Sequence, residues 1–225
     1  MLTRSSRLEL LGLPLALLVA GAVFSTRELA APGMQGHAKL TYTKTLKGSV
    51  PEFLQVTVDS NGEGAYEGRK VDEPSNPRPL KLSSATSRRL FDLAAELNNF
   101  QSLDLESHKR VADLGRKILT YQQDAQMNRV EFNYTQNHTA QELVALFEGI
   151  AGVEEHITNL EYDIKYDHLS LPKELRIIQI ELANKALVDP ELMVPTLEAI
   201  AKNSHFLHLA QTQAQDILQR IRVNN

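Results

Sequence analysis

The stretch QVTVDSNGEGAYEGRKV, residues 55–71, decides how the first part of the chain folds. Ahead of its centre the apolar residues Val56 and Val58 alternate with polar ones, which is typical of a strand with one buried face. The central hexapeptide DSNGEG also offers side-chain oxygens and a glycine in the manner of a helix–loop–helix calcium site. The stretch is therefore either a metal loop or a tight turn between two strands.

The identity of one residue favours the turn. A calcium loop needs a bidentate glutamate at its twelfth position, and counting from the first aspartate that position holds Lys70. A three-residue turn over residues 60–62 gives Gly62 the positive φ that such a turn requires and sets Val56 opposite Tyr66. The sequence thus predicts a β-hairpin, with no metal bound.

The segments on either side extend this hairpin into an α+β domain. Residues 37–46 alternate and predict a first strand, while three prolines within residues 71–80 indicate a loop or a sheet-edge segment. Residues 83–99 change to a helical period, with a serine as the N-cap. A second alternating pair over residues 118–134 predicts a second hairpin.

From Thr139 onward the period stays helical. Thr139 and Glu142 form a capping box that predicts the start of a long helix, and prolines mark the first turns of later, shorter helices. The predicted fold class is α+β: a small antiparallel sheet of two hairpins with packed helices, followed by an all-helical segment of short antiparallel helices. The predicted organisation has four parts: a signal peptide or signal anchor (1–22), a flexible lead (23–36), an α+β domain (37–158) and a helical-hairpin segment (159–225).

The N-terminus has the pattern of an export signal. Arg4 and Arg7 precede an uncharged, apolar run over residues 10–24, which is shorter than the roughly 20 residues that a membrane-spanning helix needs. Small residues ahead of Val23 predict cleavage there, and the alternative is an uncleaved anchor through residues 8–26. In both cases we expect the bulk of the chain to be exported, either to the periplasm or the extracellular space or held on the membrane.

Composition excludes several classes of function. The 225 residues contain no cysteine, which rules out thiol catalysis, thiolate metal sites and disulfides. With 24 basic and 28 acidic residues the net charge is −4, so nucleic acid is not an expected partner. The sequence has no phosphate-binding loop, dinucleotide fingerprint or nucleophile elbow, and no cofactor is expected.

The candidate chemistry is limited to acidic residues, histidines and two asparagines. The densest acidic run spans residues 154–168, and its carboxylates and histidines are Glu154, Glu155, Glu161, Asp163, Asp167, His156 and His168. On a helix these side chains are scattered around the axis, so a solvated face is the favoured interpretation and a hydrolase site the alternative. His205 and His208 have the spacing of a zinc pair but lack a third ligand. Asn133 and Asn137 lie in glycosylation sequons.

No catalytic, cofactor-binding or metal-binding residue is assigned from the sequence. The predicted function is that of an exported, non-catalytic interaction or scaffold protein of the cell envelope. Its expected partner is another protein, and it contacts the membrane only through the N-terminus if that remains uncleaved. The alternative is a hydrolase or metal-dependent enzyme built on residues 154–168. The interaction hypothesis requires apolar or concave surface to stay exposed once the helices have packed.

Overall fold

The computed structural model describes residues 37–223, and its centre is a six-stranded antiparallel sheet. The strands are β1 (Lys39–Thr45), β2 (Phe53–Asp59), β3 (Glu63–Arg69), β4 (Arg78–Lys81), β5 (Arg116–Gln123) and β6 (Gln126–Phe132). Their order across the sheet is β4-β3-β2-β1-β5-β6. The predicted signal segment and flexible lead, residues 1–36, lie outside the described residues.

The hairpin of β2 and β3 has the predicted register. Val56 pairs with Tyr66, and Gly62 has the positive φ, +82°, that the turn requires. The Asp59 carboxylate accepts hydrogen bonds from two backbone N–H groups of the turn, at 2.8 and 3.0 Å. This carboxylate therefore stabilises the turn itself, as aspartate often does. The prediction of a hairpin is confirmed.

The predicted α+β class is also confirmed, but the sheet is larger than two hairpins. β1 lies between the hairpins and pairs with both, so that Leu40 faces Val58 on β2 and Tyr121 on β5. The short β4 adds an edge strand, a position that tolerates Pro79. Residues 71–80 thus contain both the predicted loop and the predicted sheet edge.

Within residues 37–223, five α-helices accompany the sheet. They are α1 (Ser84–Glu96), α2 (His138–Tyr166), α3 (Leu171–Ala183), α4 (Val194–Lys202) and α5 (His208–Val223), with short 3-10 helices at Asn98–Phe100 and Pro190–Met193. The N-cap of α2 is Asn137, whose Oδ1 accepts the N–H of Ala140 at 3.0 Å. The predicted capping box of Thr139 and Glu142 is therefore wrong, because Asn137 caps the helix two residues earlier and Glu142 binds Arg89 instead.

In the described part of the chain, two hydrophobic cores meet along α2. The first lies between the sheet and the helices α1 and α2, where Tyr42 stacks on Phe147 with ring centroids 5.4 Å apart. The second joins the later half of α2, around Ile157, to α3, α4 and α5. Burial of each large apolar side chain contributes about 1.5–3 kcal/mol, so both halves of α2 are firmly packed. The predicted domain division between residues 158 and 159 falls inside α2, and as a division into domains it stays a prediction.

Candidate functional site

One face of α2 borders two adjoining clefts, which we call together the α2 cleft. Residues of α2 at helical spacing line it: Glu148, Gly152, Glu155 and Asn159. The smaller part, of about 240 Å³, lies between α2 and residues 44–54. The larger part, of about 680 Å³, lies between α2 and residues 66–78. Glu155 lines both parts.

Much of the wall of the α2 cleft is apolar. The apolar lining residues include Leu46, Leu54, Tyr66, Pro74 and Ala151. Val50 and Pro51 line both parts, and Val50 is 97% exposed. Concave surfaces with apolar walls and a few polar groups are where proteins usually bind ligands. The α2 cleft is therefore the candidate functional site.

Glu148 is held in place by two donors from β1. Its Oε1 accepts the hydroxyl of Tyr42 at 2.9 Å and the ammonium group of Lys44 at 2.8 Å. Burial raises the pKa of Tyr42, and the neighbouring Glu148 adds to the rise, so the phenol remains a donor. The charge of Glu148 is thus compensated within the protein.

The arginines of the α2 cleft are also paired within the protein. Arg78 donates to both carboxylate oxygens of Glu161, at 3.0 and 3.1 Å, and to the Thr158 hydroxyl at 3.0 Å. Arg69 donates to Glu67 at 3.1 Å and to three backbone carbonyls. These contacts occupy most of the guanidinium donors and fix the two side chains against the wall.

Glu155 differs from these residues because its carboxylate has no partner among the described residues. It is half-buried, and no hydrogen bond or ion pair reaches its carboxylate from the part of the chain that the structure describes. Burial is the main cause that raises the pKa of Glu155 to about 7. His156 and Lys44 oppose this rise, whereas the carboxylates of Glu181 and Glu174 add to it. A carboxyl group that titrates near neutral pH in a cleft is a frequent mark of a functional site.

His156, the next residue, joins α2 to α3. Its Nδ1 lies 2.7 Å from Glu174 Oε1, and its Nε2 lies 3.0 Å from Glu181 Oε2. Burial lowers the pKa of His156, but the two hydrogen bonds outweigh this effect and hold the pKa above its ordinary value. The imidazolium form donates to both carboxylates at once, so His156 stabilises the packing of the two helices.

The acidic run of residues 154–168 does not assemble into one site. Glu161 binds Arg78, and Asp167 accepts a serine hydroxyl at 2.7 Å. Glu154 is buried, and this burial raises its pKa. Glu155 is the member of the run that lines the α2 cleft. The solvated-face interpretation is therefore wrong for Glu154 and Glu155, because the sheet and its loops cover this part of α2.

The other sequence candidates have local roles or are exposed. Within residues 37–223 no group of three or more histidine or carboxylate side chains could hold a metal ion. His205 and His208 are both exposed. Asn137 caps α2, and the side-chain amide of Asn133 bonds two backbone groups at 2.7 and 3.0 Å.

Sequence reasoning missed the α2 cleft because its walls come from distant parts of the chain. Glu148 lies 106 residues after Tyr42 and 104 after Lys44, so their contact cannot be read from local spacing. A local signal was present, since Glu148 and Glu155 stand two turns apart on one face of α2, with the buried Ala151 between them. Charged residues at such spacing on a buried helix indicate a polar site within the packing.

Apolar side chains also remain exposed at the end of α2 and on α3. Tyr162 and Tyr166 have ring centroids 5.0 Å apart, and the exposed Leu169 follows them. On α3, Ile177 and Ile180 are exposed about one turn apart. Exposed apolar surface, which the interaction hypothesis requires, is therefore present in the described part of the chain.

None of the helices within residues 37–223 is both long enough and apolar enough to cross a membrane.

No protein-family model matches the chain, and no curated protein matches it either.

Proposed function

We propose that this protein is an exported, non-catalytic interaction module that receives a segment of another protein in the α2 cleft. The observation that carries the proposal is a concave surface with apolar walls and one carboxylate, Glu155, that has no partner among the described residues. In binding sites of this kind the apolar walls supply most of the affinity, and a few polar groups fix the orientation of the ligand.

The shape of the α2 cleft suits an extended stretch of polypeptide. Its two parts share Val50, Pro51 and Glu155, so they form one continuous surface along α2. The helix rises about 16 Å between residues 148 and 159, which matches about five residues of extended chain. A short segment of a partner could therefore lie along α2 and contact both parts of the cleft.

The presence of Glu155 also favours a binding role. An ionised, half-buried carboxylate without a partner lowers the stability of the folded state. A neutral side chain of similar size at this position would avoid that cost. Functional sites often contain residues that lower the stability of the fold. A role in binding therefore explains the presence of Glu155, whereas a role in stability does not.

The export part of the proposal rests on the sequence, since its residues lie outside the described ones. The support is the basic residues Arg4 and Arg7 ahead of the apolar run 10–24. N-terminal sequencing of the protein from the cell envelope or the medium should give a chain that begins near Val23. A membrane-bound chain that retains Met1 would indicate the anchor, and an intact, freely soluble cytoplasmic chain would contradict export.

A second candidate function is a hydrolase that uses Glu155 as a general acid. It is favoured by the presence of Glu67 in the same part of the α2 cleft. Burial raises the pKa of Glu67, but hydrogen bonds outweigh it and hold that pKa below its ordinary value. However, Glu67 Oε1 already accepts Arg69 and Asn76, at 3.1 and 2.9 Å, which leaves it badly placed to act as a base. The geometry therefore supports binding better than hydrolysis.

Site-specific photo-crosslinking in living cells tests the proposed surface. A crosslinking amino acid at Val50 stands where the two parts of the α2 cleft join. The same amino acid at Leu209 on α5, which is 58% exposed, is the matched control. We expect one discrete polypeptide to be captured from Val50 and not from Leu209.

A third position shows whether the interface lies elsewhere. Tyr166, at the exposed end of α2, reports on the other apolar surface. Capture from Tyr166 without capture from Val50 would place the interface there and contradict the proposed role of the α2 cleft. Equal capture from Val50, Tyr166 and Leu209 would show non-specific contact and would contradict it as well.

A further inference from the structure

We propose that the partner segment places a lysine or arginine side chain against Glu155 in the α2 cleft. This inference rests on the proposed function and states the chemistry of the ligand. Glu155 lines both parts of the cleft, and no hydrogen bond or ion pair reaches it from the described residues. The occupant is thus defined by its chemistry. It is a polypeptide with a basic residue among neighbours that can contact apolar walls.

The basic residues that line the α2 cleft in the described part of the chain, Lys44, Arg69 and Arg78, are each paired with a carboxylate. Lys44 binds Glu148 at 2.8 Å, and Arg78 binds Glu161 through two hydrogen bonds. A carboxylate or phosphate ligand would have to break one of these pairs and would also be repelled by Glu155. Charge complementarity therefore disfavours an acidic partner.

The other acidic residues of the α2 cleft are already satisfied. Glu148 accepts two side-chain donors, and Glu67 accepts an arginine and a backbone N–H. Glu73 accepts a backbone N–H at 3.1 Å. Among the described charged residues that line the cleft, Glu155 is thus the one without a partner. A cation placed there would complete the pairing.

The charges around Glu155 point to the same class of ligand. Eleven charged groups of the described residues line the cleft, pair with its basic residues or act on Glu155: Glu67, Glu73, Glu148, Glu155, Glu161, Glu174, Glu181, Lys44, Arg69, Arg78 and His156. Seven of them are acidic and four are basic, even with His156 protonated, so the local potential attracts a cation when the carboxyl groups are ionised.

The apolar wall beside Glu155 fits the stem of a basic side chain. Val50 and Pro51 line the cleft together with Glu155, and Tyr66 lines its larger part. Lysine and arginine carry three or four methylene groups that pack along apolar surface while the charged end reaches a polar group. The arrangement of an apolar wall next to a carboxylate matches both halves of such a side chain.

Short capped peptides, added to the full-length protein, test this inference. Three peptides share identical flanking residues and carry arginine, lysine or citrulline at the centre, and citrulline is the uncharged analogue of arginine. Two-dimensional NMR follows the backbone N–H signals of Gly152 and Asn159, which line the cleft. The arginine and lysine peptides should shift both signals. The citrulline peptide should bind about tenfold or more weakly, the loss expected for one hydrogen bond to a charged group.

Two variants assign the effect to one carboxylate. Glu155→Gln should weaken binding of the arginine peptide to the level of the citrulline peptide. Glu63→Gln removes a carboxylate that is 63% exposed at the start of β3, and it should leave binding unchanged. The dispersion of the same NMR spectra confirms that both variants are folded.

The possible results separate this inference from the proposed function. Equal binding of the arginine and citrulline peptides would overturn the proposal that a basic side chain binds Glu155. Unchanged binding of the arginine peptide by Glu155→Gln would overturn it as well. The absence of any shift at Gly152 and Asn159 with all three peptides overturns it too. In each case a crosslink specific to Val50 would still support a protein partner at the α2 cleft, whereas its absence would remove both proposals.

Discussion

The carboxylate of Asp189 binds Ser83, the N-cap residue of α1, although Asp189 lies 106 residues after Ser83 in the chain. Its Oδ2 accepts the backbone N–H of Ser83 at 2.6 Å. Its Oδ1 accepts the hydroxyls of Ser83 and Thr86, at 2.9 and 2.6 Å. A negative charge at this end of a helix also interacts favourably with the helix dipole. The segment between α3 and α4 is thereby fastened to the first helix of the chain.

Replacing Asp189 by alanine should lower the free energy of unfolding by about 1–2 kcal/mol, because hydrogen bonds at a helix end are lost. Asp189 also has a positive φ of 53°, which asparagine tolerates better than alanine. Asp189→Asn should therefore cost less than Asp189→Ala. Asp72→Ala, in an exposed loop, is the control and should have almost no effect. Urea unfolding compares the three, and equal effects of Asp189→Ala and Asp72→Ala would contradict a stabilising role of the Asp189 contacts with Ser83 and Thr86.

Those parts of the fold that depend on neighbouring residues could be predicted from the sequence. The hairpin of β2 and β3 is such a part, because alternation and the requirements of Gly62 together fix the pairing of Val56 with Tyr66. The position of β1 could not be predicted in the same way. Its pairing of Thr41 with Thr120 joins segments that nothing local connects. The sheet is therefore larger than the two hairpins that the sequence indicated.

The candidate site, like the position of β1, could not be predicted from neighbouring residues alone. The sequence marked Glu155 as part of an acidic run, but it could not show which residues of that run are covered. Coverage depends on Val50, Pro51 and Tyr66, which lie about ninety to a hundred positions earlier in the chain and reach α2 only through the sheet. Position on a helix thus predicts which side chains share a face, whereas the environment of that face is a tertiary property.

Two glycines of α2 should respond in opposite ways to alanine. A Cβ atom at Gly152 would approach Leu187 Cδ2 at 3.7 Å, an ordinary contact, so Gly152→Ala should stabilise the protein by about 0.5–1 kcal/mol through helix propensity. A Cβ atom at Gly149 would lie 2.6 Å from Val188 Cγ2 and 2.9 Å from the backbone oxygen of Ala186. Gly149→Ala should therefore destabilise by about 1–3 kcal/mol, as overpacking does. Thermal and urea unfolding measure both, and a stabilising effect of Gly149→Ala would disprove the close approach at Gly149.

The contribution of His156 to stability should depend on pH. Its pKa in the folded protein is raised above the ordinary value of 6.5, so its contribution is complete below that value and is lost as pH rises through the folded pKa. His156→Gln should thus lower the free energy of unfolding by about 1–3 kcal/mol near pH 6, the range for hydrogen bonds to charged groups, and by less near pH 9. The exposed His205→Gln serves as the control. A loss that is the same at both pH values would show that His156 acts by packing alone.

The pKa of Glu174 sets the lower end of the pH range in which the hydrogen bond between His156 and Glu174 joins two charged groups. Burial raises its pKa, but the hydrogen bonds from His156 and Asn159 outweigh burial, and the net pKa is lowered below 4.5. Its contribution is therefore present above 4.5 and is lost as pH falls through the folded value. The measurement near pH 6 lies above this loss, so the His156 comparison there reports on the histidine.

Glu155→Gln should stabilise the protein at high pH, in contrast to most substitutions of a half-buried residue. The pKa of Glu155 rises from 4.5 to about 7 on folding, chiefly because of burial, so the folded state holds this proton more tightly than the unfolded state. Stability is consequently lost as pH increases from 4.5 to 7, and glutamine avoids the loss because it does not ionise. After allowance for solvent screening, the gain should be about 1–2 kcal/mol near pH 8 and close to zero near pH 4.

The same variant links stability to binding. Urea unfolding near pH 4 and pH 8 measures the gain, and Glu63→Gln, at an exposed position, controls for the removal of one negative charge. If Glu155 serves the α2 cleft, Glu155→Gln should be more stable than the wild type near pH 8 and should bind the arginine peptide less well. A loss of stability at pH 8 in this variant would instead mean that the Glu155 carboxylate stabilises the fold. Stability alone would then explain the presence of Glu155, without a role in binding.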